Sequence, residues 1–102
     1  MDQREILSVA MEYSELILAD FDVVKIILFG SYARGTATES SDIDIAIIVK
    51  ELKEDFLSSE AKLYKLRRKV DDRIEPLLFE VGNDRSGFLS EIAKTGKVLY
   101  PA

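Results

Sequence analysis

Apolar residues recur at helical spacing over residues 3–19, where Ile6, Val9, Ala10, Tyr13, Leu16 and Ile17 make one stripe and predict an amphipathic first helix. The pattern then changes. Residues 23–29 are a continuous, β-branched apolar run, the signature of a buried strand. Residues 31–34 read as the start of a short helix, with Gly30 allowing a tight turn and Ser31 placed to cap it. Residues 36–41 are small and polar and predict a loop. Residues 43–49 are apolar on both faces, as a central strand would be.

Phe56, Leu63, Leu66 and Val70 mark one stripe of a helix over 54–70, ended by Asp71-Asp72. A third strand follows at 73–79, with Glu75, Leu77 and Phe79 on one face. Pro76 cannot donate to a ladder and assigns this strand to an edge or a bulge. Asp84 or Ser86 is placed to cap a last helix through Phe88, Leu89, Ile92 and Ala93, which Gly96 stops, and residues 98–100 form a short extended tail. The order α-β-α-β-α-β-α predicts an α/β (α+β) architecture, a small mixed sheet flanked by helices. With no repeat, linker or low-complexity tract in view, residues 1–102 read as a single domain.

Two junctions carry chemistry. At the first, an apolar strand runs into Gly30-Ser31, where backbone N–H groups and the Ser31 hydroxyl can meet a phosphate. Arg34, on the same turn, is within reach of phosphate oxygens or simply exposed. Gly35 ends the turn. A P-loop is excluded, because no Gly-Lys-Ser/Thr follows.

At the second junction, Asp42 and Asp44 stand one residue apart at the head of the central strand, so its period of two puts them on one face. Adjacent carboxylates repel, and a chain that keeps them together usually does so around a cation. Magnesium is commonly held by one or two carboxylates plus substrate phosphates. Glu75, inside the third strand, is the candidate third carboxylate, and an exposed edge-strand residue is its plainer reading. A phosphate cradle beside metal-binding carboxylates indicates phosphoryl or nucleotidyl transfer.

Composition narrows the chemistry. The chain has neither histidine nor cysteine, which excludes Cys/His zinc sites, Cys–His nucleophiles and Ser–His–Asp triads. Carboxylates, hydroxyls, Lys/Arg and a hard metal remain. The net charge of −5 argues against nucleic acid as a direct partner. The apolar runs are too short to span a bilayer, and the charged Met1-Asp2-Gln3-Arg4-Glu5 lacks a signal-peptide core, so no membrane partner and a cytoplasmic location are expected. The cluster Lys62, Lys65, Arg67, Arg68 and Lys69 reads as a solvated face near a helix C-terminus. Tyr13 and Tyr64 read as packing residues; Tyr32 is free to stack on a base.

Gly30-Ser31-Tyr32-Ala33-Arg34-Gly35, followed by Ser41-Asp42-Ile43-Asp44, resembles the G-S-x-A-R-G…S-D-x-D signature of the DNA polymerase beta-like nucleotidyltransferase superfamily. The size is similar to that of its minimal nucleotidyltransferase (MNT) branch, antitoxin-type partners of HEPN-domain toxins. The resemblance implies that fold, with Gly30, Ser31 and Arg34 at the nucleotide triphosphate. It implies Asp42, Asp44 and Glu75 as catalytic carboxylates and ligands of Mg2+, two ions with Mn2+ as substitute. The third acidic residue is usually Asp in this family, and Glu75 carries its carboxylate one methylene further.

The implied reaction is attack of an acceptor hydroxyl on the α-phosphorus of ATP or another nucleoside triphosphate, with pyrophosphate leaving. The implied acceptor is a tyrosine of a helical HEPN toxin, in a homo- or hetero-oligomer. Two alternatives stand beside it: an antitoxin that neutralises by binding alone, and a small-molecule, antibiotic-type nucleotidyltransferase. Larger relatives grip base and acceptor with an extra helical domain absent from this chain, so a partner is expected to supply the missing wall.

Overall fold

The computed structural model describes residues 2–82 and 87–101. Its elements are α1 (Gln3–Asp20), β1 (Val23–Phe29), α2 (Ser31–Arg34), β2 (Ile43–Val49), α3 (Phe56–Arg67), β3 (Ile74–Glu80), α4 (Phe88–Thr95) and β4 (Lys97–Tyr100). The mixed α/β architecture is the expected one. The strands form one sheet in the order β3-β2-β1-β4. β1 runs antiparallel to β2 and β4, whereas β2 and β3 are parallel and are joined through α3.

The alternation of the strands divides the core in two. Ile43, Ile45, Ile47 and Val49 of β2, with Ile26 and Leu28 of β1, pack against Ile6, Ala10, Tyr13 and Ile17 of α1 and Leu63 and Leu66 of α3. Ile27, Ala46 and Ile48 face the other way and meet Ile92 of α4. β2 therefore buries both faces. The Tyr13 hydroxyl donates to the Leu63 carbonyl at 2.7 Å and ties α1 to α3 inside the first layer.

Three boundaries differ from expectation. α3 starts at Phe56 because Asp55 caps it, its carboxylate accepting from the Ser58 N–H at 2.8 Å. It ends at Arg67, beyond which tighter three-residue bonds from Arg68, Lys69 and Val70 carry the chain to Asp71. Phe56 is consequently exposed at the first turn instead of contributing to the buried stripe. The tail at 98–100 is a true edge strand, with Leu99 buried and Val98 facing outward. β3 takes the opposite edge, where Pro76 is tolerated. The caps expected at Asp84 and Ser86 lie outside the described residues. No helix among the described residues is long and apolar enough to cross a membrane.

Candidate active site

The topology brings the end of β1 and the starts of β2 and β3 to one end of the sheet, because β1 runs against its neighbour and β3 runs with it. Phe29 pairs with Asp44, and Asp44 pairs with Glu75. Residues paired in register share a face. Asp44 and Glu75 thus project on the α4 side of the sheet, with Asp42 just ahead of β2 and close enough for its charge to act on Asp44.

Asp44 is half-buried and Asp42 exposed. Burial raises the Asp44 carboxyl above its ordinary value, the nearby Asp42 and Glu75 charges push it further up, and Arg34 opposes them. This arrangement favours either a proton or a cation on the pair. The loop before it is pinned: the Thr38 N–H donates to Ser41 Oγ at 2.8 Å, and the Tyr32 hydroxyl reaches the Thr38 carbonyl at 3.5 Å. Tyr32 is itself buried and unavailable for stacking on a base.

Gly30 follows β1 with φ +75°, a conformation that favours glycine. A Cβ built there would overlap the Asp44 carboxylate, so the turn lies directly against the acidic pair. Gly30, not Ser31, occupies the N-cap position of α2, and no side chain caps it. Ser31 is the first helical residue, and its carbonyl accepts from Thr36 N–H at 2.9 Å. The leading N–H groups of such a turn have no intrahelical acceptor and suit an anion. Gly35, at φ +75°, closes α2 as its sequence position suggested.

Arg34 is exposed at the rim of a cleft of about 270 Å³ lined by Phe29, Gly30, Arg34, Phe88, Glu91, Ile92 and Thr95. Phe88 sits edge-on to Phe29 with ring centres 6.1 Å apart. Sequence periodicity placed Phe88 only on a helix stripe; its position beside Gly30 needs the return of α4 across the sheet. A larger cleft of about 700 Å³, lined by Leu52, Phe56, Leu78 and Glu80 among others, lies at the far ends of β2 and β3, away from Asp44.

Glu75, the expected third carboxylate, also contacts α3. Its carboxylate lies 3.4 Å from Arg67 Nη1 and accepts from the Tyr64 hydroxyl at 3.4 Å. Among the described residues, no three acidic groups gather closely enough to hold an ion. Asp42 and Asp44, neighbouring carboxylates that repel each other, could hold a divalent cation together with substrate phosphates, and the charge of Glu75 still reaches Asp44. Arg67, read as part of a solvated basic face, instead turns inward to the Ile74 carbonyl at 2.9 Å.

Residues 14–102 match the family Polymerase beta, Nucleotidyltransferase. The chain belongs to that family. It is 33% identical over 99 residues to a candidate protein adenylyltransferase of Methanocaldococcus jannaschii, an alignment covering 90% of this chain and 96% of that protein. A second candidate protein adenylyltransferase of the same organism is 44% identical over 54 residues, or 51% of this chain, which spans 37% of that longer relative.

Among solved structures, a toxin–antitoxin crystal structure with AMP-PNP superposes with TM-score 0.68 at 26% identity, covering 90% of this chain and 73% of that one. A candidate nucleotidyltransferase from Sulfolobus solfataricus superposes with TM-score 0.67 at 24% identity, over 94% of this chain and 80% of that one, and shares the fold. The chain is thus of the nucleotidyltransferase type, with toxin–antitoxin proteins among its structural neighbours.

Proposed function

We propose that residues 1–102 act as one minimal nucleotidyltransferase domain that transfers AMP from ATP to a hydroxyl of a partner protein in the cytoplasm. The partner we infer is a helical HEPN toxin, for which this chain would be the antitoxin. The observation that carries the proposal is the close approach of the Gly30 turn to the Asp44 carboxylate, an arrangement suited to bringing a phosphate and a cation together. The names of the relatives, candidate protein adenylyltransferases, and the toxin–antitoxin neighbour with AMP-PNP support the same reading.

Each residue then has a task. The N–H groups at the start of α2, the Ser31 hydroxyl and Arg34 hold the triphosphate. Asp42 and Asp44 would hold Mg2+, which when bound would offset triphosphate charge and lower the acceptor's pKa. Glu75 takes the acceptor proton as the hydroxyl oxygen bonds to the α-phosphorus and pyrophosphate departs. Positioning and charge neutralisation supply most of what such a transfer requires.

The engagement of Glu75 by Arg67 and Tyr64 favours one second reading, an antitoxin that neutralises by binding alone. One experiment separates them. The protein is mixed with the HEPN partner, Mg2+ and ATP, and the partner's intact mass is followed. Addition of one AMP, lost in Asp42→Asn, supports transfer. A tight complex with no added mass under any nucleotide leaves the binding-only antitoxin.

A further inference from the structure

Asp44 and Glu75 stand side by side in the parallel register of β2 and β3, yet the Glu75 carboxylate is taken up by α3. Arg67 Nη1 lies 3.4 Å from Glu75 Oε1, and the Tyr64 hydroxyl donates to Oε2 at 3.4 Å. The Arg67 guanidinium rests over the Tyr64 ring, 4.8 Å from its centre. It is anchored independently by its 2.9 Å bond to the Ile74 carbonyl. The guanidinium therefore keeps its place whether or not Glu75 stays with it.

The two contacts on Glu75 are at the long end of hydrogen bonding, and both side chains are partly exposed, Arg67 at 26% and Glu75 at 42%. Pairs of this kind are weak and reversible. A divalent cation at Asp42 and Asp44 would offer Glu75 a denser positive charge beside its own register partner. The extra methylene of glutamate gives the side chain the length to serve either side.

We propose that Arg67 and Tyr64 form a latch that holds the Glu75 carboxylate on the α3 side, and that a divalent cation at Asp42 and Asp44 competes with the latch for it. The inference rests on Asp42 and Asp44 being the cation ligands. Arg67 is in this view a positioning residue: it sets where Glu75 waits before cation and nucleotide arrive.

The test is Mn2+ binding to the full chain without nucleotide, read by electron paramagnetic resonance. Arg67→Ala should bind Mn2+ about fivefold tighter, the scale of a partly exposed ion pair. Tyr64→Phe should shift binding less in the same direction, and Arg67→Lys should stay near wild type. The gain must vanish when Arg67→Ala is made in a Glu75→Gln background. A gain that persists there reflects only the loss of a nearby positive charge, and overturns the latch. Unchanged or weaker binding in folded Arg67→Ala overturns it too. If Arg67→Ala fails to fold, having lost the donor to the Ile74 carbonyl, Tyr64→Phe decides, and no gain there refutes the proposal. Retained Mn2+ binding in Asp44→Asn would instead remove the cation site on which the inference stands.

Discussion

Gly30 and Asp44 touch across the β1–β2 pair so closely that a Cβ on the glycine would fall on the aspartate carboxylate, 3.1 Å from its Cγ. Gly30→Ala therefore meets two obstacles, a φ of +75° and a collision. With ψ at −154°, Gly30 lies in a region essentially reserved for glycine, which alone costs a residue with a Cβ about 1–3 kcal/mol. The substitution should lower stability by at least about 2 kcal/mol and displace Asp44. Gly35→Ala is the comparison, a left-handed helical residue at φ 75°, ψ 19° with open space around it, and should cost only about 1 kcal/mol, having neither the collision nor the glycine-only backbone of Gly30. Denaturant melts of the two variants measure the difference.

Asp44→Asn should keep or raise the stability of the metal-free protein. Its raised pKa means that the native state binds a proton more tightly than the unfolded chain does. Ionised Asp44 thus weakens the fold at neutral pH, and that burden is relieved as pH falls through the raised pKa towards the ordinary value of 3.8. Asp44→Asn should lose this part of the pH dependence. Mg2+ should raise the Tm of the wild type and leave that of Asp44→Asn unchanged, as followed by thermal melts from acid to neutral pH.

Asp71 should behave with the opposite sign. Arg73 donates to it at 2.8 and 3.1 Å, and this pairing holds its carboxyl below the ordinary range. The pair contributes stability at pH values above the ordinary carboxylate pKa, and loses it as pH falls through the lowered one. Asp71→Ala should cost about 1 kcal/mol, kept small by partial exposure of Arg73. Because the Arg73 carbonyl accepts from Ile43 N–H at 2.9 Å, loosening should reach the start of β2, and hydrogen exchange at Ile43 would report it.

Tyr13→Phe should destabilise by about 1–2 kcal/mol, since it leaves the buried Leu63 carbonyl without its donor. Tyr13 lies in the α1–α3 layer, whereas the candidate site opens on the α4 side of the sheet. ATP affinity measured by calorimetry should be unaffected in the folded variant.

The local pattern of the chain was enough for the elements and for half of the site. Periodicities of 3.6 and 2 are local properties, so α1, β1, β2 and β3 were legible, as was the edge position of a strand carrying Pro76. Gly30-Ser31 and Asp42-x-Asp44 were legible for the same reason: each cluster is contiguous, and its chemistry follows from residue type and phase alone. The tertiary structure decided what depends on contacts between distant segments. It placed Gly30 on Asp44, turned Arg67 inward to Ile74 and Glu75, brought Phe88 beside Phe29, and made residues 97–100 a strand by pairing them with β1. None of these has a local signature, because a side chain's partner is chosen by the register of strands and the crossing of helices, and a cation reads as solvated until the fold supplies a carbonyl and a carboxylate for it.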